Sequence, residues 1–258
     1  MEKIELDLLD KLFSIYDKHY ERMGNHPPDY SDIKSNPEKY ILHEQWLPKN
    51  LNANILDIGC GWGILLYSLY CTGYKKLTGV DISEQMCKTA RYYLPEGVKI
   101  VCNNALDFLK NEELNKYTLI TIFDLAEHMS IDNFYNMLKL CYGALVKGGS
   151  VVIRTPNMAN IFASYSRYID ITHINGFTEW SLFQLLDAAG FCDHQVIKPK
   201  YFSYENWKKN RSLIHPWRGL GLRELINMSL HKFLFWLRGQ KPLPSHFSFN
   251  LVVQSWKR

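Results

Sequence analysis

The sequence predicts an α/β protein: an open, mostly parallel sheet with helices on both faces. Three observations carry this. Between residues 54 and 200, short apolar runs alternate with helix-like segments, the pattern of strand–helix–strand units. Three glycines, Gly59, Gly61 and Gly63, follow the first run and open into an apolar helical stretch. Acids stand at the tips of the first two runs, Asp57 and Asp81.

The elements follow in order. Strands are expected at 55–58, 77–80, 98–101, 119–123 and 151–153, with two further strand-like stretches at 194–198 and 247–256. Helices are expected at 65–71, at 83–93 with Ser83 as N-cap, and at 130–145 with Ser130 as N-cap and a stop at Gly148-Gly149. A fourth runs over 178–189, started by Thr178 and ended by Gly190. Residues 1–50 read as a helical cap with a polar loop around "GNHPPDYSD". Residues 201–244 are too long for a plain loop and must carry structure of their own.

Composition narrows the class. With 47% hydrophobic and 22% charged residues, 258 residues can bury one sizeable core, which excludes a disordered chain. The start, "MEKIELDLLDKLF", is charged throughout and lacks the apolar stretch of a secretory signal, so a cytoplasmic protein is expected. No apolar run is long enough to span a bilayer. None of the six cysteines forms a C-x-x-C pair, so free, mostly buried thiols are expected. The net charge is +4, but residues 200–241 hold nine Lys/Arg against two acids. The basic character is local.

In an open parallel sheet, ligands bind at the carboxyl ends of the strands, and a glycine turn there lets a ligand approach the backbone. "DIGCGWG" is spaced G-x-G-x-G, not the G-x-G-x-x-G of dinucleotide sites, and an acid precedes it by two residues. That argues against pyrophosphate and a dehydrogenase. A carboxylate at Asp57 suits a ligand ammonium instead. Asp81, in "LTGVDIS", lies 24 residues further on and suits a ribose diol, with Ile82 placed to cover an adenine face. In "CNNAL", the Asn104 amide and the Ala105 N–H are placed to read the adenine edge.

An ammonium, a ribose and an adenine without phosphate describe S-adenosylmethionine. Over residues 54–200, "DIGCGWG" and "GVDIS" resemble the D/E-x-G-x-G-x-G and ribose motifs of the class I S-adenosylmethionine-dependent methyltransferases. Asn104 departs from the aspartate commonest at its position in that family. The resemblance implies a Rossmann-like, seven-stranded, mostly parallel sheet with helices on both faces and an antiparallel final hairpin. It implies a methyltransferase domain over 51–258, capped by 1–50. The implied cofactor segment is Asp57, Gly59, Cys60, Gly61, Gly63, Asp81, Ile82, Asn104, Ala105 and Phe123, the Cys60 and Trp62 side chains being assigned to packing.

Methyl transfer to a hydroxyl needs positioning and a base, and the loops after the fourth and fifth strands supply candidates. "IFDLAEHM" holds Asp124, Glu127 and His128; the long loop after residue 153 holds Asp170 and His173. The pattern "EH…TPN…D-x-T-H-x-x-x-F-T" resembles the quinone and surface-glycan O-methyltransferases, which implies His128 or His173 as catalytic base and a small-molecule, sugar-like or lipid-linked glycan acceptor. It also resembles the small-RNA 2′-O-methyltransferases, which implies a divalent metal on Asp124, Glu127, His128 and His173. An RNA methyltransferase-like enzyme and a non-catalytic cofactor-binding protein are the alternatives; no nucleic-acid recognition motif is present to support RNA.

Two flanking segments complete the expectations. In "LGLRELINMSLHKFLFWLRGQK", apolar Leu222, Leu225, Ile226, Phe233 and Leu237 are interleaved with basic residues. This reads as an amphipathic helix that serves as a lid, a dimer element or a peripheral membrane contact. Phe13, Tyr16 and Tyr20 share one helical face and would close the site. Nothing in the pattern fixes an oligomeric state.

Overall fold

The computed structural model describes residues 8, 11–12, 15–41, 44–198, 222–239 and 241–258. Five strands rich in β-branched and aliphatic residues lie parallel: β1 (Asn54–Ile58), β2 (Lys76–Asp81), β3 (Val98–Cys102), β4 (Tyr117–Phe123) and β5 (Leu145–Pro156). β6 (Cys192–Val196) and β7 (Asn250–Trp256) complete the sheet in the order β3-β2-β1-β4-β5-β7-β6, with β7 antiparallel to both neighbours. This is the expected seven-stranded arrangement. The strand order reverses at β1/β4, so the carboxyl ends of β1, β2, β4 and β5 surround one crevice.

Successive side chains along each strand feed opposite layers. On one face, Leu56, Ile58, Ile120, Ile122, Val151 and Ile153 pack with helices that run over Ile131–Ala144 and Glu179–Ala189. On the other, Ile55, Leu77, Leu119 and Val152 pack with a helix over Ile64–Cys71. Ile33 and Trp46 belong to that second layer and are fully buried. Tyr30, Ile33, Ile41 and Trp46 therefore add to the core.

Capping proceeds as the sequence implies. The Ser83, Ser130 and Thr178 side chains accept from Met86, Asn133 and Ser181 N–H, starting helices at Glu84, Ile131 and Glu179. Gly190 ends the last of these in a left-handed conformation at φ 99°. One stop signal differs. The Ile131–Ala144 helix ends at Ala144, and Gly148 and Gly149 lie within β5 instead. There a Cβ at Gly149 would sit 3.0 Å from the Thr118 and Val146 carbonyl oxygens, where the β4–β5 register shifts. The pair serves close strand approach, not helix termination. The first strand of the final pair runs over 192–196, not 194–198, and residues 247–249 stay outside β7, with Phe247 in the core.

Short helices at Ala105–Lys110 and Ala163–Tyr168, each six residues, have no expected counterpart. Of the expected 201–244 segment, Leu222–Leu237 is helical; the basic residues 200–218 lie outside the described residues, as does Phe13. All six cysteines are free. Among the described residues, no helix is long and apolar enough to cross a membrane.

One glycine shows how tightly the crevice floor is built. A Cβ at Gly79 in β2 would lie 2.5 Å from Leu66 Cδ1 and 2.8 Å from Cys60 Sγ. Gly79→Ala is therefore expected to cost about 1–3 kcal/mol by overpacking, measured as a lower midpoint in urea denaturation; an unshifted midpoint would show that the Cys60 side chain can move aside.

Candidate active site

The glycine loop is a left-handed path fixed by hydrogen bonds. Gly59, Gly61 and Gly63 have φ of 76°, 51° and 73°, a region open to glycine but strained for other residues. The Gly59 and Cys60 N–H groups donate to Val80 O at 2.8 and 3.1 Å, drawing the loop across the tip of β2. Asp81 then locks it: one carboxylate oxygen accepts from Gly61 N–H (2.8 Å), the other from Ser83 N–H (2.8 Å). Each oxygen keeps a further lone pair for a ribose hydroxyl. Cys60 is buried against Gly79 and Leu66, so its side chain is packing, as expected.

Asp57 is almost wholly buried at the end of β1, where Thr121 Oγ1, opposite it on β4, donates to its Oδ1 at 2.6 Å. Burial raises its carboxyl to about 7, against the Thr121 hydrogen bond and the Arg154 charge. The side expected to face adenine is open. Ile82 is 62% exposed beside Asp81. Asn104 Oδ1 accepts from Leu106 and Asp107 N–H, so its carbonyl caps the Ala105–Lys110 helix and its amide nitrogen is the remaining donor. Phe123 is wedged between the Trp46 ring (5.9 Å, edge-on) and the Arg154 guanidinium (4.8 Å) at the tip of β4.

The loops after β4 and β5 bring two imidazoles together. The His128 and His173 rings lie 4.6 Å apart at 63°. Thr172 Oγ1 donates its single proton to Asp170 Oδ1 (2.6 Å), and Thr172 N–H binds the same oxygen (2.8 Å). Burial works against ionising Asp170, but the Thr172 hydroxyl and amide and the two imidazoles more than offset it and hold the carboxyl below its usual range. Toward His128 Nδ1, 2.8 Å away, Thr172 Oγ1 can then only accept. That places the His128 proton on Nδ1 and the lone pair on Nε2. His173 Nδ1 faces the Ser166 carbonyl at 2.8 Å, which fixes the same tautomer. Burial, then the neighbouring His173, lowers His128 to about 4, so its ring is neutral at neutral pH.

Glu127 sits below them, 2% exposed, accepting from Thr155 Oγ1 at 3.1 Å. Burial, then the Asp124 charge, raises it to about 8. Glu127, His128 and His173 each bring one donor atom within 4.8 Å of the others. Asp124 does not join them, which corrects the four-residue set. Its backbone turns left-handed at φ 53° and its carboxylate forms a two-point pair with Arg154 on β5.

The helix over Tyr16–Arg22 closes this end of the crevice. Tyr20 meets Trp62 of the glycine loop edge-on (5.7 Å), and Tyr16 meets His128 edge-on (5.8 Å). Burial and then the Asp170 charge push the Tyr16 hydroxyl up. His19 Nε2 stands 3.5 Å from Asp170 Oδ2.

Residues 55–149 match the family model described as "Methyltransferase domain". Over these residues the chain resembles a methyltransferase domain. The chain resembles "Ubiquinone biosynthesis O-methyltransferase" of Bordetella avium (strain 197N), 31% identical over 105 residues, 40% of this chain and 42% of that protein. The relative of the same description from Idiomarina loihiensis is 28% identical over 126 residues, 48% and 51% of the two chains. The chain thus spans about half the length, or less, of these curated relatives. Among solved structures, a SAM-dependent methyltransferase from Archaeoglobus fulgidus superposes with a TM-score of 0.62 at 21% identity, covering 94% of this chain and 99% of the other. The Haemonchus contortus phosphoethanolamine N-methyltransferase 2 bound to S-adenosyl-L-methionine gives 0.57 at 16%, covering 86% and 52%. Both share the fold.

Thr172, Thr121, Thr155 and His19 join this site without being expected from the sequence. Thr172 carried a local signal: an acid two residues before a threonine, whose carboxylate accepts that threonine's N–H. The three others are brought in by strand register or helix docking, which no local pattern encodes.

Two outcomes are expected. Asp81→Ala removes charge-assisted hydrogen bonds that shape the loop, each worth roughly 1.5–3 kcal/mol, so S-adenosylmethionine affinity should fall about 10–100-fold in calorimetry. Asp57, raised to about 7 from an unfolded value near 4, contributes stability in full below about pH 4, lost as pH rises through about 7. Asp57→Asn should flatten that part of the cofactor-free stability curve, whereas an unchanged slope would place the titration elsewhere.

Proposed function

We propose that the chain is an S-adenosylmethionine-dependent O-methyltransferase acting on a hydroxyl of a small acceptor. The observation that carries this is the pair of half-buried imidazoles, both with Nε2 lone pairs, beside the strand tips that carry the cofactor motifs. The acceptor oxygen attacks the sulfonium methyl carbon in line. The carbon–oxygen bond forms as the carbon–sulfur bond breaks, and the hydroxyl proton passes to Nε2 of His128 or His173. Asp170, through Thr172, holds His128 in the accepting tautomer and stabilises its protonated form. The Tyr16–Arg22 helix excludes water. The O-methyltransferase descriptions of the partial relatives support the reaction type; they give no support to a sugar-like acceptor.

A divalent ion is a second reading, favoured by the donor set: one carboxylate and two imidazoles with converging ligand atoms. Glu127, His128 and His173 would hold it, and it would lower the pKa of a bound hydroxyl. Turnover that survives chelator supports direct proton transfer to histidine; turnover lost in chelator and restored by Mn²⁺ or Mg²⁺ supports the ion.

The relay gives the sharper test. With hydroxylated aromatic acceptors and labelled cofactor, Thr172→Val is expected to lower kcat about 10–100-fold with cofactor affinity unchanged, and Thr172→Ser to restore most of it. Equal activity of Val and Ser variants would remove His128 from the proposed role.

A further inference from the structure

The helix over Leu222–Leu237 buries a histidine and turns an apolar stripe outward. Two of its polar residues, Asn227 and His231, face the protein: His231 is fully buried, its Nε2 accepting from Ile161 N–H (2.8 Å) and its Nδ1 donating to Asn227 O (2.7 Å). The Asn227 amide donates to Phe247 O (3.2 Å), and the His231 ring stacks on Phe247 at 4.8 Å. The opposite stripe, Ile226, Leu230, Phe233 and Leu237, follows helical spacing and points to solvent; Phe233 is 54%, Leu237 66% and the flanking Trp236 71% exposed. A helix on a solvated surface shows the reverse distribution, so this face has an apolar occupant.

The patch continues beyond one helix. The Ile161–His231 bond ties it to the Ala163–Tyr168 helix, where Phe162, Tyr165 and Tyr168 are also exposed. Charge selects the occupant. No Asp or Glu follows Glu224 in the chain, while Lys232, Arg238 and Lys241 stand exposed on or just beyond the helix. An outward apolar stripe with flanking cations and tryptophan or tyrosine at its margins fits the headgroup–acyl boundary of an anionic bilayer.

We infer that the Leu222–Leu237 helix and the aromatic residues at 162–168 form a docking surface for an anionic phospholipid membrane. The helix lies on the bilayer rather than across it. The surface adjoins the candidate base, because Ser166, on the same short helix as Tyr165, holds His173 Nδ1. A consequence, which rests on the methyl-transfer reading, is that the acceptor is an amphiphile drawn from the membrane.

The test is co-sedimentation of the full chain with phosphatidylglycerol-containing or pure phosphatidylcholine vesicles. Binding should favour the anionic vesicles by about tenfold or more and weaken with salt. The triple variant Phe233→Ser, Trp236→Ser, Leu237→Ser should lose it while keeping S-adenosylmethionine affinity in calorimetry, which checks folding. Lys232→Glu with Arg238→Glu should abolish the anionic preference alone. Failure of wild type to bind either vesicle overturns the inference, as does undiminished binding by the triple variant. A dimer in sedimentation equilibrium that the triple variant dissolves would overturn it too, assigning the face to a second copy. Vesicle binding needs no methyl transfer, so its failure leaves the catalytic reading to be judged by turnover.

Discussion

One carboxylate joins the two halves of the cofactor crevice. Asp81 closes β2, grips the Gly61 N–H of the loop above β1 and the Ser83 N–H at the start of the next helix, and still has lone pairs to offer. Without it the glycine loop, whose residues favour no single backbone conformation, would be held to β2 only by the Gly59 and Cys60 N–H bonds to Val80 O. The left-handed glycines make the path accessible; the carboxylate selects it. The register of β1 on β4 does the same for Asp57, which needs Thr121 opposite it to bury a carboxyl at all.

The second constraint is burial of the proton-handling groups. In water, Glu127 would be ionised and His128 part-charged at neutral pH. Here burial reverses both preferences, leaving a neutral imidazole and a carboxyl that holds its proton longer. A neutral imidazole is useful as a base only if its lone pair faces the substrate, and for His128 that is decided by Thr172 and Asp170. Thr172, committed to Asp170, can only accept from Nδ1. The Ser166 carbonyl imposes the same choice on His173.

Much of this was legible in the chain. The glycine loop, Asp81, and the capping serines and threonine are local signals, and the structure places them where spacing implies. His128 and His173, 45 residues apart, meet because the loops after adjacent strands β4 and β5 open over the same crevice. What spacing could not give was direction. Asp124 looked like a ligand beside Glu127 and His128, yet a left-handed residue turns it toward Arg154, a partner set by strand register. Gly148-Gly149 looked like a helix stop and serves a close strand approach. The tail read as amphipathic, but periodicity does not say which face turns outward; burial of His231 does.

A crystal structure with S-adenosylhomocysteine bound tests the account most directly. It predicts ribose hydroxyls on the Asp81 carboxylate and the sulfur facing the His128–His173 pair. A nucleoside seated away from Asp81, or a sulfur turned from both imidazoles, would contradict it.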